Sequence, residues 1–161
     1  MSEAGYSESK PLQLSLTYAN IYGTEIGDQL RSQLKKIGID LKVNVVEFST
    51  WLQDVYTNRN YDISLVDHNE SHDFYQWADP TYYYNYDNKE VQALYAKAVA
   101  ATNDDDRDKL LAEAARKVSE DAPADWLFGY RVTVAYHKNV QGFPSKLSQT
   151  VLPLWQITKA R

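Results

Sequence analysis

His68, Glu70, His72 and Asp73 fall in one short run of the chain. Residues two apart share a face where the backbone is extended. His68, Glu70 and His72 therefore read as a candidate ligand set for zinc, nickel or another first-row ion, with Asp73 adding an oxygen. Their spacing matches no standard short metal motif, and loop histidines are commonly solvated. The same residues offer a second chemistry. Carboxylates such as Glu70 and Asp73, enclosed in a cleft, give charge-assisted hydrogen bonds to a ligand ammonium. The plainer alternative is a solvated loop in which Asp73 caps local backbone.

Aromatic rings follow at once: Phe74, Tyr75, Trp77, Tyr82, Tyr83, Tyr84 and Tyr86. Such rings give large contact area at low entropic cost, and tyrosine keeps a polar tip. Consecutive Tyr82, Tyr83 and Tyr84 cannot all face one core. Trp77 and Tyr82 are the rings expected to cover a ligand, and others pack on the helices that follow. Covalent chemistry finds little support. The chain has no cysteine, no serine in a nucleophile-elbow pattern and no phosphate-cradling glycine loop. Asp62 and Asp67 flank a strand and would make an acid/base pair only if they converged. The pattern points to binding without turnover and implies no cofactor.

The elements that must hold these residues alternate. Leu12, Leu14 and Leu16 mark a half-buried strand. A helix is expected over about Tyr22–Ile37, with Ile26, Leu30, Leu34 and Ile37 inward and Gly38 as its C′ residue. A second strand, about Leu41–Phe48, carries Val46 and Phe48 out of phase, which suggests a bulge or burial on both faces. Ser49 or Thr50 is expected to cap a short helix bearing Trp51, Leu52, Val55 and Tyr56. The third strand is Tyr61–Val66. This β-α-β-α-β order predicts an α/β fold, a mainly parallel sheet flanked by helices. In open sheets of that kind ligands bind beyond the carboxyl ends of the strands, where His68 to Tyr86 must lie.

Two helices come next. Asn88 caps the first, with Val91, Leu94, Tyr95 and Ala98 inward. Asn103 caps the second, with Asp106 as reciprocal acid and Leu110, Leu111, Ala114 and Val118 as the buried stripe. A late strand is expected over about Tyr130–Tyr136, returning to the sheet edge. Beyond Gly142 the tail is apolar (Phe143, Val151, Leu152, Leu154, Trp155) and interrupted by Pro144 and Pro153. It either packs on its own domain or covers a surface outside the chain.

The 161 residues suffice for one domain with a hydrophobic core. A net charge of -5 makes nucleic acid an unsuitable partner. No stretch is long and apolar enough to span a bilayer, and Met1 leads into a polar run with no secretory signal. The chain is therefore cytoplasmic, or its beginning has been removed.

Five segments carry a resemblance: AGYSES at 4–9, EIGDQLRSQLKKIGIDLKVNVVEFSTWLQDV at 25–55, NRNYDISLV at 58–66, YDNKEVQALYAKAVAATNDDDRDKLLAEAARKVSEDAPADWLF at 86–128 and YHKNVQGF at 136–143. In this order they resemble the extracytoplasmic solute-binding proteins of ABC importers, of the dipeptide/oligopeptide/nickel class (bacterial extracellular solute-binding protein family 5). The resemblance covers almost the whole chain. It implies one lobe of a type II periplasmic-binding-protein-like fold. Residues 1–143 would form the ligand-binding lobe, and 144–161 a crossover toward a missing N-terminal lobe. Family members are roughly three times longer, as two large lobes require.

The implied function is capture of a di- or oligopeptide between two lobes, followed by docking on permease subunits, with no enzymatic step. The implied setting is extracytoplasmic, as a lipoprotein or a periplasmic or secreted protein. In the family an acidic residue after the Tyr-Asp strand holds the peptide amino terminus. Here the usual Gly-Trp is Asp67-His68, and the acidic position falls on Ser71, between Glu70 and Asp73. The implied ligand-binding set is His68, Glu70, Ser71, Asp73, Trp77 and Tyr82. A metal or metal-chelate receptor using His68, Glu70 and His72, and a non-catalytic interaction domain, remain the alternatives.

Overall fold

The structure is a computed structural model. It describes every residue except Glu8, Asn69, Ser71, 130–132, 145, 147–152 and Arg161. The chain divides into two compact units, Met1–Ala124 and Asp125–Arg161.

The first unit contains β1 (Leu12–Ala19), α1 (Thr24–Lys35), β2 (Ile39–Val46), α2 (Phe48–Trp51), a π-helical continuation over Leu52–Thr57, β3 (Ile63–Leu65), α3 (Tyr75–Ala78), α4 (Lys89–Val99) and α5 (Asp104–Asp121). The sheet order is β2-β1-β3 and both pairings are parallel. This is the expected α/β fold, a parallel sheet flanked by helices.

Both faces of the sheet are covered, which explains the broken alternation in β2. On one face Leu16, Tyr18 and Leu41 form a core with Leu14, Val43, Ile63 and Leu65, and Leu30 and Leu34 of α1 lie over them. On the other, Ala19 and Val46 meet Trp51, Val55 and Tyr83. Val46 is thus out of phase because it serves the second core. There is no bulge: the β1–β2 register runs unbroken from Leu12↔Ile39 to Ala19↔Val46. Each fully buried Val or Leu side chain here contributes about 1.5–3 kcal/mol. Gly27 permits the close approach of α1, since a Cβ there would lie 2.7 Å from both the Tyr18 hydroxyl and Val43 Cγ1.

Several boundaries differ from expectation. Phe48 belongs to α2 rather than β2 and is exposed. Glu47, not Ser49 or Thr50, occupies the α2 N-cap, without a side-chain bond. Leu52 and Tyr56 are exposed while Trp51 and Val55 are buried, two i,i+4 pairs on adjacent faces of which one meets the sheet. After α1 the chain tightens through bonds from Lys36, Ile37 and Gly38 to the third preceding carbonyl. That turn exposes Ile37 and delays the left-handed Gly38 (φ 82°) by one residue beyond C′. β3 is shorter than Tyr61–Val66 because Asp62 joins β1 through its side chain: its carboxylate accepts from the Ser15 N–H (2.8 Å) and hydroxyl (2.7 Å). Those bonds hold Asp62 well below the usual carboxylate range and commit it to the strand junction.

The paired helices form as read. The Asn88 side chain accepts from the N–H groups of Glu90 (2.9 Å) and Val91 (3.2 Å). That of Asn103 accepts from Asp106 N–H (2.9 Å), while its own amide donates to the Asp106 carboxylate (2.8 Å). Val91, Leu94, Ala98, Ala114 and Val118 are buried.

The second unit holds a short antiparallel ribbon, β4 (Val140–Gln141) with β5 (Thr158–Lys159). Ala160 N–H donates to the Asn139 carbonyl, and the Asn139 amide to the Ala160 carbonyl, each over 2.9 Å. Gly142 takes φ 74° against the Gln156 carbonyl, where no Cβ fits. Phe143 stacks on Tyr136, ring centroids 4.9 Å apart. The late strand expected over Tyr130–Tyr136 is corrected in part: 133–136 are not strand, and 130–132 lie outside the described residues. Backbone pairing in this unit goes into the ribbon instead. Of the apolar tail, Leu154 and Trp155 are exposed, whereas Val151 and Leu152 lie outside the described residues.

Candidate ligand-binding wall

The chain leaves β3 at the carboxyl end of the parallel sheet and enters the polar, ring-rich loop. Its departure is fixed from below, by Asp67 N–H donating to the Tyr22 hydroxyl (2.8 Å). His68 then turns inward beneath the tyrosines. The Tyr82, Tyr83 and Tyr84 rings surround its imidazole, with centroids 6.2, 5.8 and 5.6 Å away. Its Nε2 lies 2.7 Å from the Tyr83 hydroxyl and its Nδ1 3.3 Å from Glu70 Oε2. An ionised carboxylate only accepts. Nδ1 therefore carries the proton toward Glu70, and in the neutral ring Nε2 accepts from Tyr83.

Tyr83 is the ring taken into the core, 4% exposed. It meets Trp51 edge-on at 5.9 Å, and its carbonyl accepts from the Tyr61 hydroxyl at 2.6 Å. Trp51 is itself anchored by a 2.9 Å bond from its indole N–H to Ser64. The far end of the loop is pinned by Arg59, whose guanidinium donates to the Thr81 carbonyl and to Asn85 Oδ1 (3.4 Å). Asn85 takes the left-handed conformation there (φ 56°). Asp121 receives Tyr86, Asn88 and Lys117, at 2.7, 2.6 and 2.6 Å. These donors, Lys117 first, hold its carboxyl down at about 2. Burial pushes Tyr82, Tyr83 and Tyr84 far above the ordinary tyrosine range, with neighbouring tyrosines adding to the effect.

Glu70 is the outward-facing member. Its side chain is 52% exposed, yet it is held. Its own backbone N–H is the main influence keeping the carboxyl below the usual range, opposed by partial burial and aided by His68 and Gln76. Asp73 is half-buried and, like Glu70, close enough to raise Tyr84 further. Trp77 is half-buried over Tyr84, centroids 4.4 Å apart, with Tyr86 beyond it at 6.1 Å. Tyr82 is half-buried between Tyr56 and Tyr75, at 6.0 and 6.2 Å. His68, Glu70, Trp77 and Tyr82 thus share one patch, and Asp73 adjoins it. Ser71 lies outside the described residues. His72 is exposed with a left-handed backbone (φ 59°), and no cluster of three His, Asp or Glu suited to a metal occurs among the described residues.

Sequence reasoning missed Gln76, the buried polar residue of this patch. Its amide donates to Glu70 (3.3 Å) and its carbonyl accepts from the Tyr84 hydroxyl (2.8 Å). No spacing rule singles out a glutamine in a four-residue helix; only the exposure pattern of the folded loop does. Chemically the patch can present a fixed negative charge beside apolar ring faces. A shallow open hollow of about 480 Å³ lies elsewhere, between Lys97, Ala101, Asp106 and Lys109, and none of the groups above line it.

No protein-family model matches the chain. A curated relative, the probable D,D-dipeptide-binding periplasmic protein DdpA of Escherichia coli (strain K12), is 31% identical over 153 residues, 84% of this chain and 28% of DdpA. Among solved structures, Haemophilus influenzae OppA in complex with RPPGFSPFR is 27% identical with a TM-score of 0.64, over 74% of this chain and 25% of OppA. The Bacillus subtilis oligopeptide-binding protein AppA, in complex with a nonapeptide, is 20% identical with a TM-score of 0.75, over 93% of this chain and 32% of AppA. The last likeness is one of fold. The chain therefore spans between a quarter and a third of the length of each. It is homologous to part of DdpA and of OppA, and its α/β architecture is that of one lobe of the type II periplasmic-binding-protein fold.

Proposed function

We propose that this chain supplies one lobe of an extracytoplasmic solute-binding protein that captures di- or oligopeptides for an ABC importer. One observation carries the reading. Past the third strand of a parallel sheet, a half-exposed, ionised Glu70 stands on a scaffold of locked rings. Such a carboxylate binds a peptide ammonium by a charge-assisted hydrogen bond. Ser71 and Asp73 follow it in the sequence and belong to the proposed set, His68 sets its orientation, and Trp77 and Tyr82 offer apolar walls that tolerate varied side chains. In this reading residues 1–143 are assigned to the ligand-binding lobe and residues 144–161 to the connection with a second lobe. That lobe closes over the ligand, and the closed form docks on permease subunits. The protein works outside the cytoplasm, periplasmic, secreted or lipid-anchored, and the step is capture, not catalysis. The peptides held by OppA and AppA support this class of ligand.

Titration calorimetry of the two-lobed protein with di- to pentapeptides, and with nickel and zinc, tests the reading. Peptide binding should persist in chelator and weaken about tenfold in Glu70→Gln, the loss of roughly 1.4 kcal/mol expected for one charged hydrogen bond. Chelator-sensitive binding that disappears in His68→Ala would replace it with a metal-chelate receptor.

A further inference from the structure

Among the described residues Gln76 is the one buried polar side chain of the first unit, 2% exposed. Burying an amide is costly unless its groups are bonded, and both are. A carboxylate cannot donate, so the amide nitrogen must face Glu70. The oxygen is then left for the Tyr84 hydroxyl, which is the arrangement present, at 3.3 and 2.8 Å. Tyr84 in turn packs against Trp77, ring centroids 4.4 Å apart and planes tilted by 31°. The backbone of Gln76 is also tied to the loop, by N–H donation to the Asp73 carbonyl (3.0 Å). One side chain thus hydrogen-bonds both the outward carboxylate and the tyrosine of the ring pair. His68 Nδ1 and the Gln76 amide meet the same Glu70 oxygen, Oε2, each at 3.3 Å, so two donors hold that oxygen before any ligand arrives.

We propose that Gln76 is the positioning residue of the wall, aiming Glu70 at a protonated amine and fixing its distance from the Trp77–Tyr84 ring pair. The proposal rests on the reading of Glu70 as the ammonium acceptor and adds what makes it selective. A pre-aimed carboxylate loses less orientational entropy on binding. It therefore favours a ligand whose amine and apolar group are spaced to meet both at once. The glutamine makes no contact with ligand itself.

Gln76→Glu separates the two functions of the side chain. It keeps an acceptor for Tyr84 and replaces the donor facing Glu70 with a like charge. Gln76→Leu removes both and serves as the packing control. Two readouts are needed. The first is the Glu70 carboxyl titration, followed by carbon NMR on the 161-residue chain. The second is the affinity of the two-lobed protein for tri-alanine and for N-acetyl-tri-alanine. In Gln76→Glu the Glu70 midpoint should rise by about one unit or more, since neighbouring carboxylates resist joint ionisation. Tri-alanine affinity should fall about tenfold, with little change for the acetylated peptide. An unmoved Glu70 midpoint, or equal loss for both peptides, overturns the positioning role. Glu70→Gln distinguishes the underlying reading. If it removes the preference for tri-alanine while Gln76→Glu does not, only the role of Gln76 fails. If it leaves that preference intact, Glu70 is not the amine acceptor and both fail.

Discussion

Replacing Tyr83 by Phe removes one hydroxyl from the centre of the loop and nothing else. The ring stays edge-on to Trp51, and the main-chain carbonyl still receives Tyr61. What disappears is the 2.7 Å bond to His68 Nε2. A neutral hydrogen bond contributes about 0.5–1.5 kcal/mol net, and a buried partner left unpaired costs about 1–3 kcal/mol. The His68 side chain is 16% exposed, so water meets only part of that deficit. The sum is a loss of about 1–2 kcal/mol, offset slightly because phenylalanine is the more apolar residue. For a chain of this size that lowers Tm by about 2–8 °C. Urea unfolding followed by tryptophan fluorescence should show a lower midpoint at unchanged slope. A double-mutant cycle with His68→Leu should recover a coupling of about 1 kcal/mol. A loss below about 0.5 kcal/mol, or strict additivity in the cycle, would refute the claim that this pair locks the imidazole.

Two further outcomes follow from the same packing. Gly27→Ala gains about 1 kcal/mol of helix propensity. It also forces a methyl to within 2.7 Å of Val43 and the Tyr18 hydroxyl, an overpacking cost of about 1–3 kcal/mol, so denaturant unfolding should show net destabilisation despite the better helix former. In alkali, Tyr82, Tyr83 and Tyr84 are raised far above their unfolded value near 10 and Tyr86 is pushed up to about 12. The native state then retains protons the unfolded state releases, so this stability is complete below about pH 10 and is lost as pH rises further. Tyrosinate absorbance from these rings should appear together with the loss of far-ultraviolet dichroism, and normal titration of all tyrosines in a still-folded chain would contradict the burial.

The parts of the fold that could be read in advance are those whose cause is local. Asn88 and Asn103 cap α4 and α5 because each is followed by orphan N–H groups and an apolar helical stripe. The β-α-β-α-β order needed only the alternation of periods. Errors came where a distant group replaced a local rule. Val46 and Phe48 look alike in sequence, but Val46 serves a second core under Trp51 while Phe48 opens a helix. Asp62 shortens β3 because its carboxylate finds Ser15, far away in the chain. The site shows the same division. The spacing of two that grouped His68, Glu70 and His72 required an extended strand, but β3 ends at Leu65 and His72 is exposed in a left-handed turn, so the contact of His68 with Glu70 comes from the loop's own fold. The necessity that the three consecutive tyrosines part was legible. Which of them entered the core was not, because Trp51 and Tyr61, which receive Tyr83, lie on other elements.

The sorting of those three rings also explains how one loop can be both rigid and receptive. A side chain that turns fully inward, as Tyr83 does, spends its contact area on stability and can contribute nothing to a ligand. Its neighbours on either side cannot follow it, because successive side chains diverge, so Tyr82 and Tyr84 remain half-buried around His68. Rigidity therefore arises from the middle residue, while the flanking ones stay open to the proposed ligand, with Glu70 and Trp77 standing on groups that Tyr83 and Tyr84 contact. Charge follows the same economy. The stretch from Tyr61 to Asn88 contains no lysine or arginine, so Glu70 finds its fixed donors in His68, Gln76 and its own backbone. Those donors orient the carboxylate without supplying a permanent cationic side chain, which leaves its charge available to an incoming amine.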